Sequence, residues 1–254
     1  MITISEAQLL AWITPVIWPS LRVLALFQTM PVLGQRTVPA RVRICLSMLV
    51  ALSASGLVPP IEPVPLDSAV AVLLAVQQVL IGVTIGFAVR LVFAAVEFAG
   101  EIAGLQMGMN FSGFFDPISA TQATASSRFF GTLVAFLFIV VNGHLTVIQA
   151  VVQSLIAFPV SPEPFAFLKA TMPHQWGAQI FSMGLWIAMP MIAMLLFVNL
   201  VLGVISRVAP QSNIFSLGFP ITMGVGLVGM MAMLPMMQTP FIVTLEKMLK
   251  IFQP

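Results

Sequence analysis

The chain has 254 residues, of which 59% are hydrophobic and only 7% charged, with a mean hydropathy of +1.08. Ordinary soluble domains carry roughly 25% charged residues, so this chain cannot cover a soluble surface and must be covered by lipid or by neighbouring subunits. Ten Lys and Arg against eight Asp and Glu leave a net charge of only +2, too small and too scattered for a nucleic-acid-binding face.

The N-terminus, Met1-Ile-Thr-Ile-Ser-Glu6, lacks a basic segment ahead of its first apolar stretch, so that stretch is expected to be retained rather than cleaved as a signal peptide. A helix needs about 20 apolar residues to cross a hydrocarbon core of about 30 Å. Six apolar regions follow in chain order: residues 7–32, 44–58, 68–109, 129–158, 176–205 and 214–252. The fold class is all-α, a membrane protein of helical hairpins and long kinked helices, read as one membrane-embedded domain over residues 1–254.

Between the first two regions, Gly34-Gln-Arg36-Thr-Val-Pro39-Ala-Arg41-Val-Arg43 is the only tight group of positive charge and reads as a cytoplasmic loop. Cys45 is the only cysteine, which excludes an internal disulfide and a cysteine metal cluster; it reads as a small apolar residue in a span. The next connector, residues 58–67, carries Pro59, Pro60, Glu62, Pro63, Pro65 and Asp67 and reads as an extended external link. Six crossings put Lys247 and Lys250 outside, against the positive-inside tendency.

As one helix, residues 68–109 would run about 63 Å, twice the hydrocarbon thickness. Such a helix either projects beyond the bilayer into an assembly or breaks where protein lines a cavity. Pro15, Pro19, Pro190, Pro220 and Pro235 fall inside apolar regions; each frees backbone groups that neighbouring protein or ordinary membrane-helix packing must satisfy.

Arg90, Glu97 and Glu101 stand at helical offsets of seven and eleven and share one stripe. At a bilayer centre each charge costs about 2.5–3.5 kcal/mol, which favours contacts between subunits, or a helix end outside the membrane, over a proton relay. Gly100, Gly104 and Gly108, with Ala95, Ala99 and Ala103 beside them, form small-residue rows that permit close helix approach; Gly82 and Gly86 are a further pair. The sequence then changes character at Met109-Asn110-Phe111-Ser-Gly113-Phe114-Phe115-Asp116-Pro117. This segment reads as a loop bearing bulky apolar groups, either a plug that closes a pore or a re-entrant loop packed into the subunit.

Nothing points to catalysis. His144 and His174 are isolated, and no zinc-protease, phosphate-loop or nucleophile-elbow motif is present. His144 is expected to make a helix-end hydrogen bond. Met230, Met231, Met233, Met236 and Met237 form either a deformable lining or plain packing.

Three separated stretches resemble the FliR family of export-gate subunits, found in flagella and in type III secretion injectisomes. The first is Arg22 with Pro31-Val-Leu-Gly34 and Val38-Pro39-Ala-Arg41-Val-Arg43; the second runs from Gly100-Glu-Ile-Ala-Gly104 through Gly108 and Phe111 to Asp116-Pro117; the third is Arg207-Val-Ala-Pro210-Gln211-Ser-Asn213-Ile-Phe-Ser-Leu-Gly218-Phe219-Pro220. Thr222 departs from the family's pattern, in which a lysine often follows the Phe-Pro pair.

The resemblance implies a non-enzymatic subunit, without metal or cofactor, that joins FliP- and FliQ-type subunits in a helical, pore-forming assembly. FlhB- and FlhA-type export components are further implied partners, and unfolded flagellar proteins the cargo, at the bacterial inner membrane. It also implies a FliP-like part over about 1–175 and a FliQ-like part over about 176–254. Within it, Met107, Met109, Phe111, Phe114 and Phe115 are the candidate plug, Arg90, Glu97, Glu101, Gly100, Gly104 and Gly108 the candidate subunit contacts, and Arg207, Pro210, Gln211, Asn213, Gly218, Phe219 and Pro220 the linker motif. The alternatives are an injectisome subunit of the same architecture and a self-contained secondary transporter, for which an internal repeat would be expected.

Overall fold

The computed structural model describes residues 6–57, 59, 64–65, 67–109, 124–208 and 214–254. Every regular element among them is helical: α1 (Glu6–Thr29), α2 (Ala40–Ala54), α3 (Ala69–Gln106), α4 (Ala125–Val140), α5 (Gly143–Ala157), α6 (Ala166–Thr171), a 3-10 turn (Pro173–Gln175), α7 (Gly177–Val208) and α8 (Ile214–Lys250). The chain is an all-α, multi-pass membrane protein. Four stretches, Leu10–Thr29, Ala69–Gln106, Gly177–Val208 and Gly218–Lys250, are long and apolar enough to cross a membrane, and α4 with α5 adds a fifth if the pair is one interrupted span.

Two of the six apolar regions depart from simple spans. The second forms α2, only 15 residues long, or about 22 Å, shorter than the hydrocarbon core. The fourth is cut at Asn142, whose φ of 56° is left-handed; asparagine tolerates that conformation, and a helix cannot run through it. The long third region is one helix of 38 residues, about 57 Å. The internal prolines do not end their helices: Pro15 and Pro19 lie in α1, Pro190 in α7, and Pro220, Pro235 and Pro240 in α8.

The chain forms two compact units. One comprises Met1–Leu91, Asn142–Trp176 and Leu245–Pro254; the other comprises Val92–Val141 and Gly177–Thr244.

In the first unit, α1 and the early part of α3 meet at glycines. A methyl group at Gly82 would strike the Arg22 carbonyl, and one at Gly86 the Thr29 hydroxyl. Only glycine lets the backbones come this close. Leu26, Phe27, Met30, Ile81 and Ile85 fill the interior. Trp176 lies between Phe87 and Phe252, with ring centroids 6.3 and 5.9 Å away.

Arg22 is fully buried in that interior. Its Nε donates to Gln78 Oε1 at 2.8 Å, one terminal nitrogen to the Ser154 carbonyl at 2.6 Å and hydroxyl at 3.1 Å, and the other to the Phe158 carbonyl at 2.8 Å. The amide of Gln78 donates to Gln77 Oε1, which also accepts from the Ser161 backbone, while Gln77 Nε2 donates to the Ser161 hydroxyl. A continuous polar network thus joins α1, α3 and the end of α5. The carbonyls at that helix end carry the negative pole of its dipole, which suits a guanidinium with only neutral partners.

In the second unit, Phe93 packs edge-on against Phe138 and Phe241 at 5.5 and 5.9 Å. Met230, Met233 and Met237 point inward at offsets of three and seven, while Met231 and Met236 are exposed. Three of the five clustered methionines therefore pack the core and two face outward, as the helical period requires.

Candidate functional site

The second unit brings two of the sequence motifs to one place. The end of α3, the later part of α7 and the start of α8 border an open pocket of about 600 Å³, lined by Gln106, Met107 and Gly108, by Asn199 and Gly203, and by Gly218, Phe219 and Thr222 among others. Thr222 is buried, and its hydroxyl donates to the Phe219 carbonyl at 3.1 Å. The Oε1 atom of Gln106 is buried without a hydrogen-bond donor among the described residues.

The small-residue row is what seats α3 here. Ala95, Ala99 and Ala103 are buried at 1% exposure, and Gly104 is buried beside them. A methyl at Gly100 would come within 2.8 Å of the Phe130 ring, and one at Gly184 within 2.7 Å of the Ala95 carbonyl. α4 and α7 therefore lie against α3 at closer range than larger side chains allow.

Met107, one of the plug candidates, is fully buried. Its side chain occupies the notch left by Gly226 on α8, where a methyl group would overlap its sulfur and Cγ. The reason is the helical phase: Met107 lies one turn beyond Ala103, on the buried row of α3. The next residue, Gly108, has φ 78° and ends the helix, its N–H donating to the Leu105 carbonyl at 3.1 Å. Met109 is half-buried. Phe111, Phe114 and Phe115 lie outside the described residues, as do Pro210, Gln211 and Asn213 of the linker motif.

The chain re-enters the described structure at Thr124, and there it is tied back to α3. The Thr124 N–H donates to Glu101 Oε1 at 3.3 Å, the Thr124 hydroxyl caps α4 by accepting from the Ser127 N–H at 3.2 Å, and the Ser127 hydroxyl donates to the Glu97 carbonyl at 3.2 Å. A carboxylate at a helix N-terminus also favours the helix dipole. Both ends of the segment between Met109 and Thr124 are therefore anchored on the last turns of α3.

The charged stripe does not form a buried path. Arg90 and Glu97 are exposed and Glu101 is half-buried. The Glu97 side chain lies over α4, where a methyl on Gly131 would come within 3.0 Å of its Oε1. Arg207 is exposed in the last turn of α7, while Gly218 is buried and Phe219 and Pro220 are exposed in α8. His144 opens α5, yet its buried Nδ1 has no partner among the described residues, contrary to the helix-end bond expected of it. No group of three or more metal-ligating side chains occurs among the described residues.

Sequence reasoning passed over Arg22 except as a motif residue, and it missed Gln77 and Gln78. One signal was available: an arginine inside a 20-residue apolar stretch is costly enough to demand dedicated partners.

Residues 13–248 match the family described as bacterial export proteins, family 1. The chain is 42% identical over 244 residues to the flagellar biosynthetic protein FliR of Escherichia coli K12, covering 95% of this chain and 92% of that protein. Against the protein of the same name from Pectobacterium carotovorum it is 40% identical over 236 residues, covering 93% and 90%. Against that of Bacillus subtilis 168 it is 28% identical over 239 residues, covering 90% of each.

Proposed function

The chain belongs to the family of bacterial export proteins, family 1, and from that premise we propose that it is a subunit of the flagellar type III export gate. It helps form and close the channel through which unfolded flagellar proteins cross the inner membrane. The similarity to flagellar biosynthetic proteins along nearly the whole chain carries this reading, and it favours the flagellar gate over an injectisome.

In this role the chain is no enzyme. It assembles with FliP- and FliQ-type subunits and works beside FlhB- and FlhA-type components, which supply substrate selection and energy. The FliP-like part is about residues 1–175 and the FliQ-like part about 176–254. These parts reflect sequence resemblance, whereas the compact units interleave them. Arg90, Glu97 and Glu101 serve as subunit contacts, with Gly100, Gly104 and Gly108 allowing close packing.

Phe111, Phe114 and Phe115 form the plug. What supports this is the anchoring on either side of them: Gly108 breaks α3, and Glu101 holds Thr124.

The test is ion conductance across membranes carrying the assembled complex, native against a deletion of residues 110–116. Raised leak from an intact complex is the expected result. An intact complex that stays tight would return these phenylalanines to internal packing and assign the seal to another subunit.

A further inference from the structure

We infer that α2 and α5 form a binding site for one anionic phospholipid, with the headgroup at Arg43 and an acyl chain in the groove below it. This rests on the chain being embedded in a membrane and not on its part in export.

The first observation is uncompensated charge. Between Glu6 and Glu62 the sequence holds four arginines, at 22, 36, 41 and 43, and no aspartate or glutamate. Arg36 and Arg41 are exposed. Arg43 is half-buried; it donates to Gln28 Oε1 and to the Val38 carbonyl, both neutral, while its buried Nε has no partner among the described residues. Among the described residues, these three guanidinium groups within eight residues have no carboxylate hydrogen-bond partner, and basic residues near a bilayer surface are drawn to anionic lipid.

The second observation is the groove of about 400 Å³ between α2 and α5, lined by Leu46, Leu49, Val50, Leu57, Ile148 and Val152 among others. Its one hydroxyl, that of Ser53, is turned back to the Leu49 carbonyl at 2.9 Å, so the wall offers hydrocarbon only. Leu49 is 60% exposed and Leu57 66%, surface that water does not cover favourably.

The third is register. Arg43, Leu46, Val50 and Ser53 follow at steps of three and four, one stripe of α2. From Arg43 to Ala54 the helix rises about 16 Å, close to the roughly 15 Å depth of one leaflet. A headgroup held at Arg43 thus sends its acyl chain along the groove to the bilayer midplane. Helix α2, too short to span, has the length and charge placement of a half-membrane lipid cradle.

The experiment is native mass spectrometry of the purified, delipidated full chain titrated with phosphatidylglycerol or phosphatidylcholine of matched acyl chains. About tenfold stronger retention of one phosphatidylglycerol is expected. Arg43→Gln with Arg36→Gln should abolish that preference, and Ser53→Phe, at an exposed position, should lower retention of both lipids by blocking the groove. Equal retention of the two lipids by the native chain, or retention unmoved by these variants, would overturn the inference. So would crosslinking from a photoreactive group at Leu49, in the assembled complex, to another polypeptide instead of lipid, which would make this face a protein interface.

Discussion

Arg22 on α1 donates through Nε to Oε1 of Gln78 on α3 at 2.8 Å, both side chains fully buried and neither hydrogen-bonded to a carboxylate among the described residues. Three further N–H bonds go to the Ser154 carbonyl and hydroxyl and to the Phe158 carbonyl, so one cation in an apolar interior gathers three helices. Removing it takes the donor from Gln78 Oε1 and from the Phe158 carbonyl, at about 1–3 kcal/mol for each group left unsatisfied. Arg22→Ala is expected to lower the melting temperature of the detergent-purified chain sharply. Arg22→Lys should recover only part of the loss, because an ammonium cannot reproduce the planar fork. The double change Arg22→Met with Gln78→Leu should be milder than Arg22→Ala, since it removes donor and acceptor together. A lysine variant as stable as the native chain would show that charge alone holds this junction.

A second prediction concerns Met107 in the notch of Gly226. Gly226→Ala overfills the notch, at about 1–3 kcal/mol, and Met107→Ala empties it, at about 2–5 kcal/mol. Combined, the two should be less damaging than their sum by about 0.5–3 kcal/mol, because the smaller side chain makes room for the added methyl. Thermal stability of the four forms gives the coupling directly; strict additivity would mean that the two residues do not share the site.

The third prediction separates the acceptor role of Glu101 from its charge. Glu101→Gln keeps an oxygen for the Thr124 N–H and should leave exchange at that amide nearly unchanged. Glu101→Ala removes about 1 kcal/mol of hydrogen bonding and should speed hydrogen exchange at Thr124 several-fold. Equal exchange in both variants would locate the tether elsewhere.

Alanine at Arg90, Glu97 and Glu101 together is expected to reduce co-purification with FliP- and FliQ-type subunits while the isolated chain still folds. A complex recovered at native yield would remove these residues from the subunit interface.

The long helices α1, α3, α7 and α8 were legible because a run of apolar residues is its own signal, and their internal prolines did not hide it. Two features were not. Helix α2 reads as a span by composition and fails by length, and Asn142 divides an otherwise unbroken apolar run through its backbone conformation alone. If α2 does not cross and α4 with α5 crosses once, six crossings become five. Lys247 and Lys250 then fall on the side of the Arg36–Arg43 loop, while Arg128 and Arg207 move to the opposite side, so the charge rule does not choose between the two counts.

At the candidate site the small-residue row announced close packing at Gly100, and the structure supplies its partner in Phe130. The seat of Met107 could not be read, because it depends on a glycine more than a hundred residues away, and local spacing carries no record of such a pairing. The same holds for Gln77 and Gln78, two ordinary glutamines until Arg22 and Ser161 are placed beside them.

The distances along the chain between Arg22 and its acceptors have a consequence for biogenesis. Gln78 is made 56 residues after Arg22, and Ser154 and Phe158 follow 132 and 136 residues after it. At a synthesis rate of about 5–20 residues per second, the arginine waits on the order of ten seconds for its full set of partners. During that interval α1 carries a lone guanidinium that costs about 2.5–3.5 kcal/mol at the centre of a bilayer. It must linger at the insertion machinery or keep its charge in a hydrated crevice, and its final placement is decided only when the end of α5 emerges.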